Sequence, residues 1–147
     1  MNISSNGVSL IEQFEGFRPT MYKDAVGLPT IGYGTLIQNA DQQWLMTATI
    51  TTDQGEVLLR TSVAPIETML NATLPASANQ NQFDALISFA YNLGINALKG
   101  STLLKKVIAN PADPTIADEF AKWVHAGTEI LPGLVTRRKA ESNLYFS

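Results

Sequence analysis

The spacing of hydrophobic residues predicts a helix at the start of the chain. Val8, Ile11 and Phe14 share one helical face within residues 5–15, and a glycine follows as a natural stop. This helix places Glu15 in its last turn, where the negative end of the helix dipole disfavours an ionised carboxylate. Such an environment suits an acid that must keep its proton.

The next segment has the pattern of a small antiparallel sheet over residues 20–37. A short strand, a turn and a glycine-containing returning strand follow one another. Asp24 falls at the turn and Thr30 falls early in the returning strand. Residues 38–50 are expected to be a mixed connection, which contains Trp44.

Apolar stripes of helical period fill the rest of the chain. Thr51 and Gln54 form a capping box for a long helix, which Pro65 is expected to kink or divide. The predicted starts of four further helices are a capping box at Ser77 and Gln80, a cap at Ser101 or Thr102, a capping box at Thr115 and Asp118, and Pro132. Residues 125–130 are predicted to be a loop. The pattern therefore indicates an α+β fold, mostly helical, with its sheet confined near the N-terminus.

Composition narrows the possible chemistry. The chain has 147 residues, 45% of them hydrophobic, which suits one domain with a sizeable core. It has no cysteine and a single histidine, His125, so thiolate and multi-histidine metal sites are excluded, and we expect neither metal nor cofactor. The net charge is −3, with a weak basic surplus late in the chain. Nucleic-acid binding normally shows a stronger basic signal, so no nucleic-acid partner is expected.

Two carboxylates on a glycine-rich segment are the candidate chemistry. Glu15 and Asp24 lie nine residues apart, and Thr30 follows six residues later. A protonated and an ionised carboxylate can together cleave a glycosidic bond, and a threonine hydroxyl could orient a water beside the second acid. By residue type alone, a surface glutamate and a turn aspartate are the commoner explanation.

Three blocks of the sequence resemble one family. The segment Glu15 to Gly34 looks like the catalytic signature of the phage-type lysozymes, glycoside hydrolase family 24. Residues 79–94 and 101–110 are similar to the middle helices of that family, and residues 123–141 resemble a later block. Because the three blocks keep the family's order and cover most of the chain, they favour the catalytic interpretation of the two acids.

The resemblance implies an architecture for the whole chain. It is a single lysozyme-like α+β domain, with an active-site cleft between a small sheet lobe and a larger helical lobe. Residues 15–50 would form the sheet lobe and residues 51–73 the connecting helix. Residues 74–147 and the N-terminal helix would form the helical lobe.

The same resemblance implies an activity. The substrate would be the glycan strands of peptidoglycan, cut at the β-1,4 bond between N-acetylmuramic acid and N-acetylglucosamine. Glu15 matches the proton donor of the family, Asp24 its second carboxylate and Thr30 its catalytic threonine. The implied biology is lysis of a bacterial host by a phage or prophage endolysin.

Five residues are candidates for substrate binding. Tyr33 flanks the acids, and Leu36 matches a cleft-lining position of the family. Tyr91 and Asn92 match the far wall of the cleft, and Arg137 could reach it. Each has an alternative: core packing for Tyr33 and Leu36, a helix C-cap for Asn92, and a solvated basic helix face for Arg137 and its neighbours.

Some relatives in this family carry an apolar N-terminal signal-anchor, or a cysteine that controls activity. The sequence shows neither feature, and it shows no signal peptide. It therefore resembles the type that waits in the host cytoplasm until a holin opens the membrane and gives access to the cell wall. A chain that had lost such an anchor would look the same. We expect such a protein to be monomeric and without a stable membrane association.

Two other functions fit parts of the pattern. A lytic transglycosylase needs a single acid and no water, and it releases 1,6-anhydro products. The presence of both Asp24 and Thr30 argues against it. A non-catalytic cell-wall binding module on the same scaffold would be marked by loss of an acid, and neither acid is lost.

Overall fold

The structure is a computed structural model that describes residues 1–147. It contains seven α-helices, five strands and one 3₁₀ helix. In chain order these are α1 (Ser5–Glu15), β1 (Arg18–Lys23), β2 (Pro29–Gly32), β3 (Thr35–Leu36), the 3₁₀ helix Ala40–Met46, α2 (Thr52–Thr73), α3 (Gln80–Leu93), α4 (Ile95–Lys99), α5 (Thr102–Ala109), α6 (Ile116–Ala121), β4 (His125–Ala126), β5 (Glu129–Ile130) and α7 (Pro132–Tyr145). The predicted α+β, mostly helical class is confirmed.

Helix α1 forms where its apolar spacing predicts. Val8 and Ile11 are buried, and Ser4 stands just before the helix, where its Oγ accepts from the N–H of Gly7 at 3.4 Å. The helix ends at Glu15, because Gly16 adopts a φ of +69°, a conformation that ends helices.

The small sheet has three antiparallel strands in the order β1-β2-β3. The sequence predicted a single returning strand after the Asp24 turn, and this is wrong. The chain instead reverses again at Tyr33 and Gly34, where Gly34 has a φ of +79°. Because only glycine adopts such a φ readily, this position makes the turn that separates β2 from β3.

The long helix α2 begins with the predicted capping box. Thr51 Oγ1 accepts from the N–H of Gln54 at 3.2 Å, and Gln54 Oε1 accepts from the N–H of Thr51 at 2.9 Å. Pro65 lies inside this helix, which nevertheless continues over 22 residues and is not divided.

Two of the predicted helix starts are wrong in detail. Helix α3 is capped by Asn79, whose side chain accepts from the N–H of Gln82 at 2.9 Å, and not by Ser77. Helix α6 follows Thr115, but the Thr115 hydroxyl binds Asp113 at 2.7 Å and makes no cap. Helix α5 starts as expected, with Ser101 as its cap.

A second sheet lies late in the chain, where a loop was predicted. Strands β4 and β5 form a two-stranded hairpin, in which Ala126 pairs with Glu129. Gly127, with a φ of +62°, makes its turn. The expectation that the sheet is confined near the N-terminus is therefore wrong. Helix α7 follows, with Pro132 at its start as predicted.

The chain divides into two compact units. Ile11–Ala64 forms the smaller unit, and Met1–Leu10 with Pro65–Ser147 forms the larger one. The smaller unit contains the three-stranded sheet and a hydrophobic core made by Ile31, Ile37, Leu45 and Ile50. In the larger unit, α3 packs against α4 and α7, and α6 packs against α5 and α7. The lobe boundaries expected from the resemblance remain a prediction.

Membrane spans need length and apolar character together. None of the helices of this protein has both.

Candidate active site

The smaller unit holds Asp24 at the turn between β1 and β2. Asp24 Oδ1 accepts from the N–H of Val26 at 3.0 Å and from the N–H of Leu28 at 2.9 Å. The backbone N–H of Asp24 donates to Leu28 O at 2.9 Å, which closes the turn. Both backbone donors bind the same carboxylate oxygen. The turn therefore fixes the carboxyl group in one orientation and leaves Oδ2 for another partner.

Thr30 belongs to a row of side chains that crosses the sheet. It pairs directly with Tyr22 on β1 and with Leu36 on β3. Directly opposed residues of antiparallel strands project from the same face, so these three side chains are neighbours. Thr30 is 2% exposed, and its hydroxyl donates to Leu28 O at 3.0 Å. The sheet and the Asp24 turn thus share Leu28 as a common partner.

Glu15 lies at the end of α1, against the β2–β3 turn. Its side chain is half-buried. A Cβ atom built on Gly34 would be 2.8 Å from Glu15 Oε2, so the carboxyl group occupies the space beside that glycine. The helix end and the tight turn together set where this carboxyl group lies.

Both predicted acids affect the pKa of the same phenol, that of Tyr22. Burial raises the pKa of the Tyr22 phenol, and the negative charges of Glu15 and Asp24 raise that pKa further. Arg18 opposes this shift, and its guanidinium stacks 4.6 Å from the centre of the Tyr22 ring. The charges of both predicted carboxylates therefore act on the Tyr22 phenol, and the Arg18 guanidinium lies over its ring.

Tyr33, a predicted binding residue, is largely buried. It is 9% exposed and packs on Phe17 with ring centres 5.2 Å apart. Burial also raises the pKa of its phenol. These contacts agree with the alternative of a core residue, and its role in binding stays a prediction.

The larger unit contains the predicted binding residues Tyr91, Asn92 and Arg137, and the alternatives offered for Arg137 and for Asn92 are both wrong. Arg137, Arg138 and Glu141 do not form a solvated helix face. Their exposed fractions are 4%, 1% and 0%. They point towards α3 because α7 packs on that helix. The basic run of Arg137, Arg138 and Lys139 gave no sign in the sequence that its two arginines would be internal while Lys139 is exposed.

The buried charges form a compact cluster around Glu141. Its Oε1 accepts from Ser88 Oγ at 2.7 Å, from Arg138 Nη2 at 3.1 Å and from Arg137 Nε at 3.2 Å. Arg138 Nε lies 2.8 Å from Glu141 Oε2 as an ion pair, although their orientation makes no hydrogen bond. Burial raises the pKa of Glu141, and the two guanidiniums oppose that rise.

Asn92 is tied to this cluster. Its Oδ1 accepts from Arg138 Nη2 at 2.7 Å. The predicted alternative of a helix cap is wrong, because the cap of α3 is Gly94, whose N–H donates to Ala90 O at 2.8 Å. Arg138 was not predicted from the sequence as a partner of Asn92. The i, i+3 spacing of Arg138 and Glu141 was the available signal.

The structure also places three further residues. His125 is exposed on the β4–β5 hairpin. Trp123 packs edge-on against Phe89, with ring centres 5.4 Å apart, as a core residue would. Thr102 is exposed in the first turn of α5 and is not the cap.

Solved structures with this fold define the class of the protein. A crystal structure of a P22 lysozyme mutant superimposes with a TM-score of 0.86 and 34% identity, covering 100% of this chain and 99% of that one. The muramidase domain of SpmX from Asticaccaulis excentricus gives a TM-score of 0.86 and 32% identity, covering 99% of this chain and 98% of that domain. The expected lysozyme-like fold is confirmed.

Sequence relatives lead to the same class. An endolysin of Acyrthosiphon pisum secondary endosymbiont phage 1 is 39% identical over 100% of this chain and 99% of its own length. The endolysin of Bacillus phage B103 is also 39% identical over 100% of this chain, which spans 55% of that relative. The family model "Phage lysozyme" matches residues 12–141. The chain therefore belongs to the phage lysozyme family and is a lysozyme-type glycoside hydrolase.

Proposed function

We propose that the protein is an endolysin of a phage or prophage that hydrolyses peptidoglycan. It acts as an N-acetylmuramidase on the β-1,4 bond between N-acetylmuramic acid and N-acetylglucosamine. Family membership and the endolysin names of its relatives support the class, and the muramidase domain among its structural neighbours supports the bond. The observation that carries the proposal is that one small sheet unit holds Glu15 beside the β2–β3 turn and Asp24, with Thr30, at the β1–β2 turn.

In this proposal Glu15 is the general acid that protonates the leaving oxygen. Its place at the C-terminal end of α1, against the β2–β3 turn, supports the role, because the helix end and the turn together set where the carboxyl group lies. Asp24 and Thr30 position the attacking water. Their support is geometric: Asp24 keeps Oδ2 available, and the hydroxyl of Thr30 donates to Leu28 O while its oxygen can still accept.

The sugar contacts are proposed residue by residue. Leu36 has the strongest support, because it lies beside Thr30 on the same face of the sheet. Tyr33 is proposed on its position next to Gly34. Tyr91, Asn92 and Arg137 are proposed from the larger unit, with the whole chain working as one catalytic domain. The amide of Asn92 would serve well, since Arg138 fixes its oxygen and its two N–H donors can face a sugar.

The biological setting is part of the same proposal. The enzyme is held in the host cytoplasm until a holin permeabilises the membrane, and it then reaches the cell wall as a monomer. It takes no nucleic-acid partner and forms no stable membrane association. The weak basic signal of the sequence, with a net charge of −3, supports only the expectation about nucleic acid.

Product analysis of digested peptidoglycan tests the proposal. Wild type should release muropeptides with reducing ends, whereas a lytic transglycosylase would leave 1,6-anhydro ends. Glu15→Gln should lose activity by about 10²-fold or more, the usual contribution of a general acid. The matched control is Glu12→Gln, one turn earlier on α1 and also half-buried, which should keep its activity. Near-native turnover by Glu15→Gln would overturn the assignment.

A cell-wall binding assay tests the other alternative, a non-catalytic cell-wall binding module. If wild type binds purified cell walls but releases no soluble fragments, the protein is a binding module and not an enzyme.

A further inference from the structure

The contact between Gly34 and Glu15 carries an inference about how the acid is held in place. We propose that Gly34 is a positioning residue for Glu15: its missing side chain leaves the space that the carboxyl group occupies. This proposal rests on the proposed function, because it assigns Gly34 a role only if Glu15 is the acid.

The steric part of the argument comes from three distances. A Cβ on Gly34 would lie 2.8 Å from Glu15 Oε2, 3.2 Å from its Cδ and 3.6 Å from its Cγ. The first distance is below any normal carbon–oxygen contact, so one of the two groups would have to move. The contact falls on the far end of a flexible side chain and not on backbone. The easiest response is therefore rotation of the carboxyl group away from the turn.

Rotation of that group has a chemical consequence. General-acid catalysis needs the proton within hydrogen-bond reach of the leaving oxygen, and a displacement of about 1 Å can cost 10²-fold in rate. A side chain at position 34 should therefore impair the chemical step while the smaller unit stays folded. The expected signature is a loss in kcat with little change in KM.

A second property of Gly34 has to be separated from this contact. Its φ of +79° is strained for any residue with a side chain. Gly127 offers a matched comparison, since it also makes a hairpin turn and has a φ of +62°. A Cβ added at Gly127 would have no other atom within 4 Å. Substitutions at position 127 thus report backbone strain without the contact.

The experiment compares the same substitutions at both glycines. Asparagine tolerates a positive φ better than alanine does, so Gly34→Asn and Gly127→Asn minimise strain while adding a Cβ. We expect Gly34→Asn to melt close to Gly127→Asn but to lose about 10²-fold in kcat. Gly127→Asn should keep wild-type kcat and KM. Equal kinetics for the two variants, or a change confined to KM, would overturn the proposal.

The pH profile adds a readout that a purely structural role would not move. The pH dependence of kcat/KM reports the essential acid of the free enzyme. The limb that disappears in Glu15→Gln should shift in Gly34→Asn and stay in place in Gly127→Asn. An unshifted limb in Gly34→Asn would contradict a displaced carboxyl group.

Two further outcomes are distinguishable. If Glu15→Gln keeps its activity, the proposed catalytic role fails; if it is inactive while Gly34→Asn is fully active, only the positioning role fails. If Gly34→Asn does not fold, the double variant with Glu15→Asp decides, because the shorter acid draws its carboxyl group back from the added Cβ and relieves the closest contact of 2.8 Å. Recovery of the melting temperature supports the contact, and no recovery means that backbone strain alone explains position 34.

Discussion

At the scale of single residues, Thr30 links the sheet to the Asp24 turn through one hydroxyl. That hydroxyl donates to Leu28 O at 3.0 Å, and Leu28 also donates its N–H to Asp24. The side chain is therefore placed to serve both stability and chemistry. Removing the hydroxyl while keeping the shape tests both at once.

We expect Thr30→Val to lose about 1 kcal/mol of unfolding free energy, because the hydrogen bond from the buried Thr30 hydroxyl to Leu28 O is lost. Its kcat should fall by about 10²-fold, since the hydroxyl that orients water is gone. Thr30→Ser should retain most of both. Denaturant unfolding and turnover on purified peptidoglycan measure the two effects.

Thr35 supplies the control for this prediction. It is also 2% exposed, but its Oγ1 makes no hydrogen bond within the protein. Thr35→Val should therefore not lose stability, and its turnover should stay near wild type. Equal losses for the two valine variants would mean that the effect at Thr30 is general disturbance of the sheet.

At the scale of elements, the cap of α3 shows which of two similar signals the chain uses. Ser77 with Gln80 and Asn79 with Gln82 both fit a capping box, two residues apart. The structure uses Asn79, and the side chain of Gln82 also donates to Pro111 O at 3.1 Å. This long-range hydrogen bond favours the capping box of Asn79 and Gln82. No residue near the helix start indicates that the bond to Pro111 forms.

Alanine substitutions should separate the two signals. Asn79→Ala should cost about 1 kcal/mol, the usual value for a lost N-cap. Ser77→Ala should leave the unfolding free energy nearly unchanged, since Ser77 lies outside the helix. Chemical denaturation of both variants measures the difference. A larger loss of unfolding free energy for Ser77→Ala would contradict the Asn79 cap and support the capping box predicted from the sequence at Ser77.

Local chemistry predicted many of the elements, and packing decided the rest. The Thr51 capping box and the end of α1 depend on a few neighbouring residues, so sequence alone placed them. The β2–β3 turn and the β4–β5 hairpin were not predicted, because strands this short show almost no periodic pattern of apolar residues. Within the site, the acids could be singled out, but the contact between Glu15 and Gly34 joins distant elements and needed the structure.

At the scale of the whole molecule, oppositely charged side chains pair both in the buried interior and on the exposed surface. Glu141 and its two arginines are buried against Ser88, and this arrangement was not predictable because charge runs of this kind usually solvate a surface. Removing one partner of a buried ion pair typically costs 3–5 kcal/mol, whereas exposed pairs contribute about 1 kcal/mol or less. Loss of one member of the internal cluster should therefore cost more unfolding free energy than loss of one member of an exposed pair such as Glu56 and Arg60.

The pH dependence of stability follows from groups such as Glu119 on α6. Its side chain is 4% exposed and accepts from Lys122 at 2.8 Å and from Lys106 at 3.2 Å. The bond from Lys122, followed by that from Lys106, lowers the pKa of Glu119 below its ordinary value of 4.5. The unfolded chain therefore binds this proton first as the pH falls.

The contribution of Glu119 should thus be fully present above pH 4.5 and be lost as the pH falls through its lower folded pKa. We expect Glu119→Gln to be less stable than wild type at pH 7 by about 1 kcal/mol. This difference should shrink steadily below the ordinary pKa. Thermal unfolding at several pH values measures it, with Glu129→Gln, on the exposed strand β5, as the control that should show little change. A difference between Glu119→Gln and wild type that grows in acid would reverse the sign and contradict the assignment of the two lysines as the cause.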